Sequence, residues 1–77
     1  MTVREAKEII GKIGEEDYQS YIFQNSDWML KVQKILNGFA VLVWELDDET
    51  TWSSNWVYGN ARMVYEQLHT YGFIEGR

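Results

Sequence analysis

Val3, Ala6, Ile9, Ile10 and Ile13 recur every three to four residues, the spacing that places side chains on one face of a helix. Thr2 and Glu5 stand ahead of them with the T-x-x-E spacing of a capping box, and Gly14 predicts the stop. Glu15, Glu16 and Asp17 then precede Tyr18, Tyr21 and Ile22, a pattern that predicts a second short helix with its acids at the positive end of the dipole.

Residues 26–38 read in two ways. Trp28, Met29, Val32, Ile35 and Leu36 form a helical stripe, with Ser26 as N-cap and Gly38 past its end. Against this, Asn37-Gly38 is the dipeptide favoured at the centre of a two-residue type I′ turn, and the run Phe39-Ala40-Val41-Leu42-Val43-Trp44 is a strand. The hairpin is preferred, because a two-stranded ribbon alone is marginal and a third strand completes a stable sheet.

On that reading the central strand is apolar on both faces, as expected of a strand flanked by two neighbours and covered. Glu45, Asp47, Asp48 and Glu49 form a solvated turn, and Thr51 to Tyr58 returns as an edge strand on which Trp52, Ser54, Trp56 and Tyr58 share a face. Asn60 is a good N-cap for a last helix carrying Ala61, Val64, Tyr65, Leu68 and Tyr71, and Gly72 supplies its stop. The expectation is one α+β domain over residues 1–77, a three-stranded antiparallel meander packed by an N-terminal and a C-terminal helix. The alternative is a helical N-terminal half followed by a two-stranded hairpin and a helix.

Four Trp, five Tyr and three Phe supply the core of so short a chain, each burying about 150–250 Å². Without cysteine, disulfide and thiolate chemistry are excluded. The first residues contain no apolar run of signal-peptide length and nothing reaches the length of a membrane span, so the cytoplasm is the expected location and no membrane partner is expected. The net charge of −5 repels a polyanion, which disfavours generic nucleic-acid binding.

The helix, three-strand, helix order resembles, in topology only, the double-stranded-RNA-binding domain. That resemblance implies a lysine cluster opening the second helix, where Gly59-Asn60-Ala61-Arg62-Met63 offers one arginine. In the helical reading, Leu68-His69-Thr70-Tyr71-Gly72-Phe73-Ile74 looks like the end of a winged-helix recognition helix, which implies a nucleic-acid-associated protein. The wing hairpin is missing from the sequence, and Arg62 is that helix's one fixed cation.

No catalytic constellation is complete, so no enzyme is expected. His69 has Glu66 as its one nameable neighbour, and Ser53 and Ser54 lack the context of a nucleophile elbow. The acidic turn matches no calcium loop, and no metal or cofactor is expected. Trp28 and Trp44 are expected in the core, whereas Trp52 and Trp56 divide between core and surface. The closing Ile74-Glu75-Gly76-Arg77 matches the cleavage sequence of a tag-removing protease, while Phe73 and Ile74 also suit a hydrophobic close to the last helix.

The stretch Thr50 to Tyr58 mixes rigid aromatics with small hydroxyl and amide side chains, the composition of a gripping surface. Its expected site residues are Trp52, Asn55, Trp56 and Tyr58, with Asp47, Asp48 and Glu49 meeting a basic patch on a protein partner. The expected function is that of a small acidic inhibitor or adaptor acting stoichiometrically, of a kind that suits a phage or other mobile element. A small-ligand or carbohydrate binder is the alternative, and the Thr- and Trp-rich edge can also pair with itself to give a homodimer.

Overall fold

The computed structural model describes residues 1–46, 51–53 and 56–75, the side chains of 51–53 excepted. In chain order the elements are α1 (Val3–Ile13), β1 (Ser20–Gln24), β2 (Trp28–Ile35), β3 (Gly38–Leu46), β4 (Thr51–Ser53), β5 (Val57–Gly59) and α2 (Ala61–Thr70). All strand pairs are antiparallel: β1, β2 and β3 run side by side, and β4 and β5 share the far edge of β3. The class is α+β, with a helix at each end of the sheet region.

α1 begins as its sequence demands. Thr2 accepts the Glu5 N–H at 3.2 Å and the Glu5 carboxylate accepts the Thr2 N–H at 2.8 Å, so two otherwise orphaned donors are satisfied reciprocally. α2 is capped by the Asn60 side chain, which accepts the Met63 N–H at 3.1 Å. It ends in a Schellman motif: Gly72, at φ +81°, donates to the His69 carbonyl and Phe73 donates to that of Leu68 at 2.8 Å. The reversal turns Phe73 and Ile74 back into the core, so Ile74 is a packed residue whatever its neighbours in sequence resemble.

The helix expected after Gly14 does not form. Tyr18 takes a left-handed turn at φ +69°, its N–H donates to the Lys34 carbonyl at 2.7 Å, and Ser20–Gln24 pairs with β2. Three apolar residues at helical spacing are too short a signal to resist that pairing, which sets Phe23 opposite Leu30 in the core.

Residues 26–38 form the hairpin, but its turn sits one residue earlier than expected. Ile35 pairs with Gly38, leaving Leu36 and Asn37 at the centre, and Gly38 alone carries positive φ, at +140°. A Cβ there would also lie 2.5 Å from the Gly59 carbonyl oxygen, so the glycine answers both a backbone angle and a close approach of β5.

The far edge differs from the single strand expected for Thr51–Tyr58. Ser53 lies opposite Trp44, whereas Val57 lies opposite Val41, so three residues intervene on one side where β3 has two. This one-residue slip sets Trp52 opposite Glu45 and Tyr58 opposite Ala40, β3 positions of opposite parity. The expected common face from Trp52 to Tyr58 therefore does not run through this edge.

Alternation along β2 and β3 sorts the sheet into two faces. Phe23, Leu30, Val32, Phe39, Val41 and Val43 point to one of them, where they pack with Ala6, Ile10 and Ile13 of α1 and Val64 and Leu68 of α2. Trp28 joins this layer through an edge-on contact with Tyr71, ring centroids 4.8 Å apart. Both helices cover the same face.

Candidate interaction surface

Among the described residues no helix packs against the second face of the sheet. Register places Ile22, Lys31 and Leu42 in one row across β1, β2 and β3, and Gln24, Met29 and Trp44 in the next. Leu46 lies beyond this row on β3, and Tyr58 lies opposite the small Ala40. Ile22 is 51% exposed and Tyr58 66%, while Met29, Leu42 and Trp44 are half-buried. None of these residues belongs to the helix-covered core. Trp44 is thus no core residue in the expected sense, and the expectation that β3 is covered on both sides is corrected: this chain's helices cover one.

Charge is distributed just as unevenly. Lys31 is the single charged residue in these rows, and its ammonium group makes no hydrogen bond or ion pair among the described residues. The described acids all lie elsewhere: on α1 and the turn after it, at Asp27, at Glu45 on the helix-covered side, on α2 and at Glu75. Lys34, on the other face of β2, holds Asp17 at 3.0 Å and so ties the turn after α1 to the sheet.

Of the expected site residues, Trp56 and Tyr58 are exposed and Val57 between them is exposed as well, giving three consecutive large apolar side chains at the sheet edge. Trp52 lies in β4 by its backbone. Asp47, Asp48, Glu49 and Asn55 lie outside the described residues. Sequence reasoning missed Ile22, Met29, Leu42, Trp44 and Leu46 as surface residues. Their signal was present in the unbroken apolar run of β3, because an antiparallel strand with one solvated face normally alternates.

Other chemistry is sparse. His69 is exposed near the end of α2, and Glu66 is engaged by Arg62 at 3.5 Å. Among the described residues no three His, Cys, Asp or Glu side chains form a group able to hold a metal, and no helix is long and apolar enough to cross a membrane. A groove of about 430 Å³ runs along β1 between Tyr21, Gln24, Asn25 and Phe73, with Asn25 donating to the Tyr71 carbonyl at 3.1 Å. That amide also accepts the Asp27 and Trp28 N–H groups, so it closes the β1–β2 turn and is spent on structure. Comparison with known proteins finds no matching family model, curated protein or solved structure.

Proposed function

We propose that this chain is a small acidic interaction module, a cytoplasmic inhibitor or adaptor that acts by stoichiometric capture of a protein partner and turns over no substrate. The observation that carries this reading is the edge at β5, where Trp56, Val57 and Tyr58 stand exposed in succession. Large aromatic side chains of this kind anchor protein interfaces, since they contribute wide contact area for few rotatable bonds. The acids Asp47, Asp48 and Glu49, with Trp52, precede this edge in sequence, and they would steer a partner bearing a basic patch and raise the encounter rate.

The test is co-purification with tagged protein expressed in bacterial cytoplasm, with Trp52→Ala/Trp56→Ala as control. One protein in stoichiometric amount, lost from the double variant while its far-ultraviolet circular dichroism is unchanged, is the expected result. The same proteins recovered with both samples would overturn the reading, and loss of the folded spectrum would reassign the tryptophans to the core.

A further inference from the structure

The sheet has a second edge at β1, across the sheet from Trp56 and Tyr58. Its hydrogen-bonding phase is fixed at both ends. Asn25 donates its N–H to the Trp28 carbonyl at 3.0 Å and Lys34 donates to the Gln19 carbonyl at 2.7 Å, so alternation directs the backbone groups of Tyr21 and Phe23 toward β2. Ser20, Ile22 and Gln24 therefore turn their N–H and C=O groups outward, where no strand pairs with them among the described residues. Proteins normally blunt such an edge with lysine, proline or a covering element. Ser20–Gln24 contains neither a charge nor a proline, and Tyr18, Tyr21 and Ile22 stand exposed along it. At its start Tyr18 and Gln19 both bond to Lys34, a bulge that ends the pairing and holds Tyr18 in the left-handed region.

Two grooves open beside this edge and share Tyr21, whose ring stands edge-on to Phe23 with centroids 4.8 Å apart. The groove of about 430 Å³ lies toward Gln24 and Phe73, and another of about 300 Å³ lies between Ser20 and the Ile9 and Ile13 side of α1. Side chains two apart on an extended strand share a face and are separated by about 6.6–6.8 Å, so a strand laid along β1 can send one into each groove.

We infer that the free edge of β1 takes an extended peptide segment of a partner protein as an added strand, the segment being uncharged and alternately apolar at its centre and basic at its ends. The outward backbone groups select the extended form, since an added strand supplies acceptors and donors at their repeat. Charge selects the composition. Glu15, Glu16 and Asp17 precede β1 and Asp27 follows it, all exposed, while Lys12 lines the groove at α1 and Lys31 lies opposite Ile22. Cations in the segment are thus favoured at its ends and opposed at its middle. A second copy fits poorly. Antiparallel pairing centred on Ile22 would set the acids before β1 of one chain beside Asp27 of the other, and the net charge of −5 adds to that repulsion. This site is separate from the β5 edge and goes beyond the reading that rests on it.

Fluorescence anisotropy of the labelled peptide Lys-Lys-Thr-Val-Thr-Val-Thr-Lys-Lys, titrated with the full chain at low ionic strength, tests the inference. Saturable binding is expected, weakened about tenfold or more when the four lysines become glutamate. N-methylation of one alternate set of peptide amides should abolish binding and methylation of the other set should spare it, because an added strand turns every second amide to the edge. Ile22→Pro removes a free donor but no bond to β2, so the circular dichroism spectrum should be unchanged and binding lost. If that variant fails to fold, the two methylated peptides still decide on the wild-type chain. Absence of saturable binding, or binding indifferent to which set of amides is methylated, would overturn the proposal. So would a dimer in sedimentation equilibrium that Ile22→Pro abolishes, which would give the edge to a second copy. Peptide binding retained in Trp52→Ala/Trp56→Ala is the expected result, and its loss there would move the peptide to the β5 edge and overturn the assignment to β1.

Discussion

The two faces of the sheet are built from the same three strands and differ in what stands against them. On one, Leu30, Val32, Val41 and Val43 are fully or almost fully buried beneath two capped helices. On the other, Met29, Leu42 and Trp44 lie half-buried, and none of them belongs to the helix-covered core. Adjacent residues on one strand thus have different energetic roles: Phe39, Val41 and Val43 stabilise the fold through the helix-covered core, while Leu42 and Trp44 between and beyond them do not join it. Burial by the chain itself separates the two, and the open face also admits more polar side chains, with Ser20, Gln24, Lys31 and Gln33 among its apolar ones.

Substitution breaks the comparison most forcefully on the covered face. Leu30→Ala should cost about 2–5 kcal/mol in urea unfolding, through lost transfer free energy and a cavity that two helices hold open. Gly38→Ala should cost roughly 2–3 kcal/mol in the same measurement, because a φ of +140° and the nearby Gly59 carbonyl both oppose a Cβ. Asn60→Ala removes the α2 cap and should lower stability by about 1 kcal/mol, loosening the cover without touching the sheet. The smallest effect is expected on the open face: Leu42→Ala should cost less than about 1 kcal/mol in the same measurement. A Leu42→Ala cost equal to that of Leu30→Ala would erase the distinction between the faces.

Much of the fold was legible. Thr2 and Glu5 marked the start of α1, Asn60 and Gly72 the limits of α2, because capping chemistry is local and its partners lie within a few residues. The hairpin of β2 and β3 was also legible, through the turn residues and the apolar run after them. β1 was not, since Tyr18, Tyr21 and Ile22 fit either period and pairing with β2 settled the matter. The edge was misread for a different reason: a one-residue register slip between β4 and β5 is invisible to alternation yet reassigns Tyr58 to the open face.

The candidate site was legible in part. Trp56 and Tyr58 were singled out by composition and stand exposed. Trp44 was expected in the core because a large aromatic within an apolar strand is normally buried, and the strand pattern carries no mark of which face the helices take.

By itself, then, the sequence determined the α+β class, both helix boundaries and the caps, all consequences of short-range sterics and hydrogen bonding, while it favoured the hairpin over a helix without fixing its turn. Tertiary structure alone decided that residues 20–24 are a strand, that the far edge is split, and that both helices take one face of the sheet. Those outcomes depend on which surfaces meet across distant parts of the chain, and a pattern of apolar residues specifies that a surface must be covered without specifying by what.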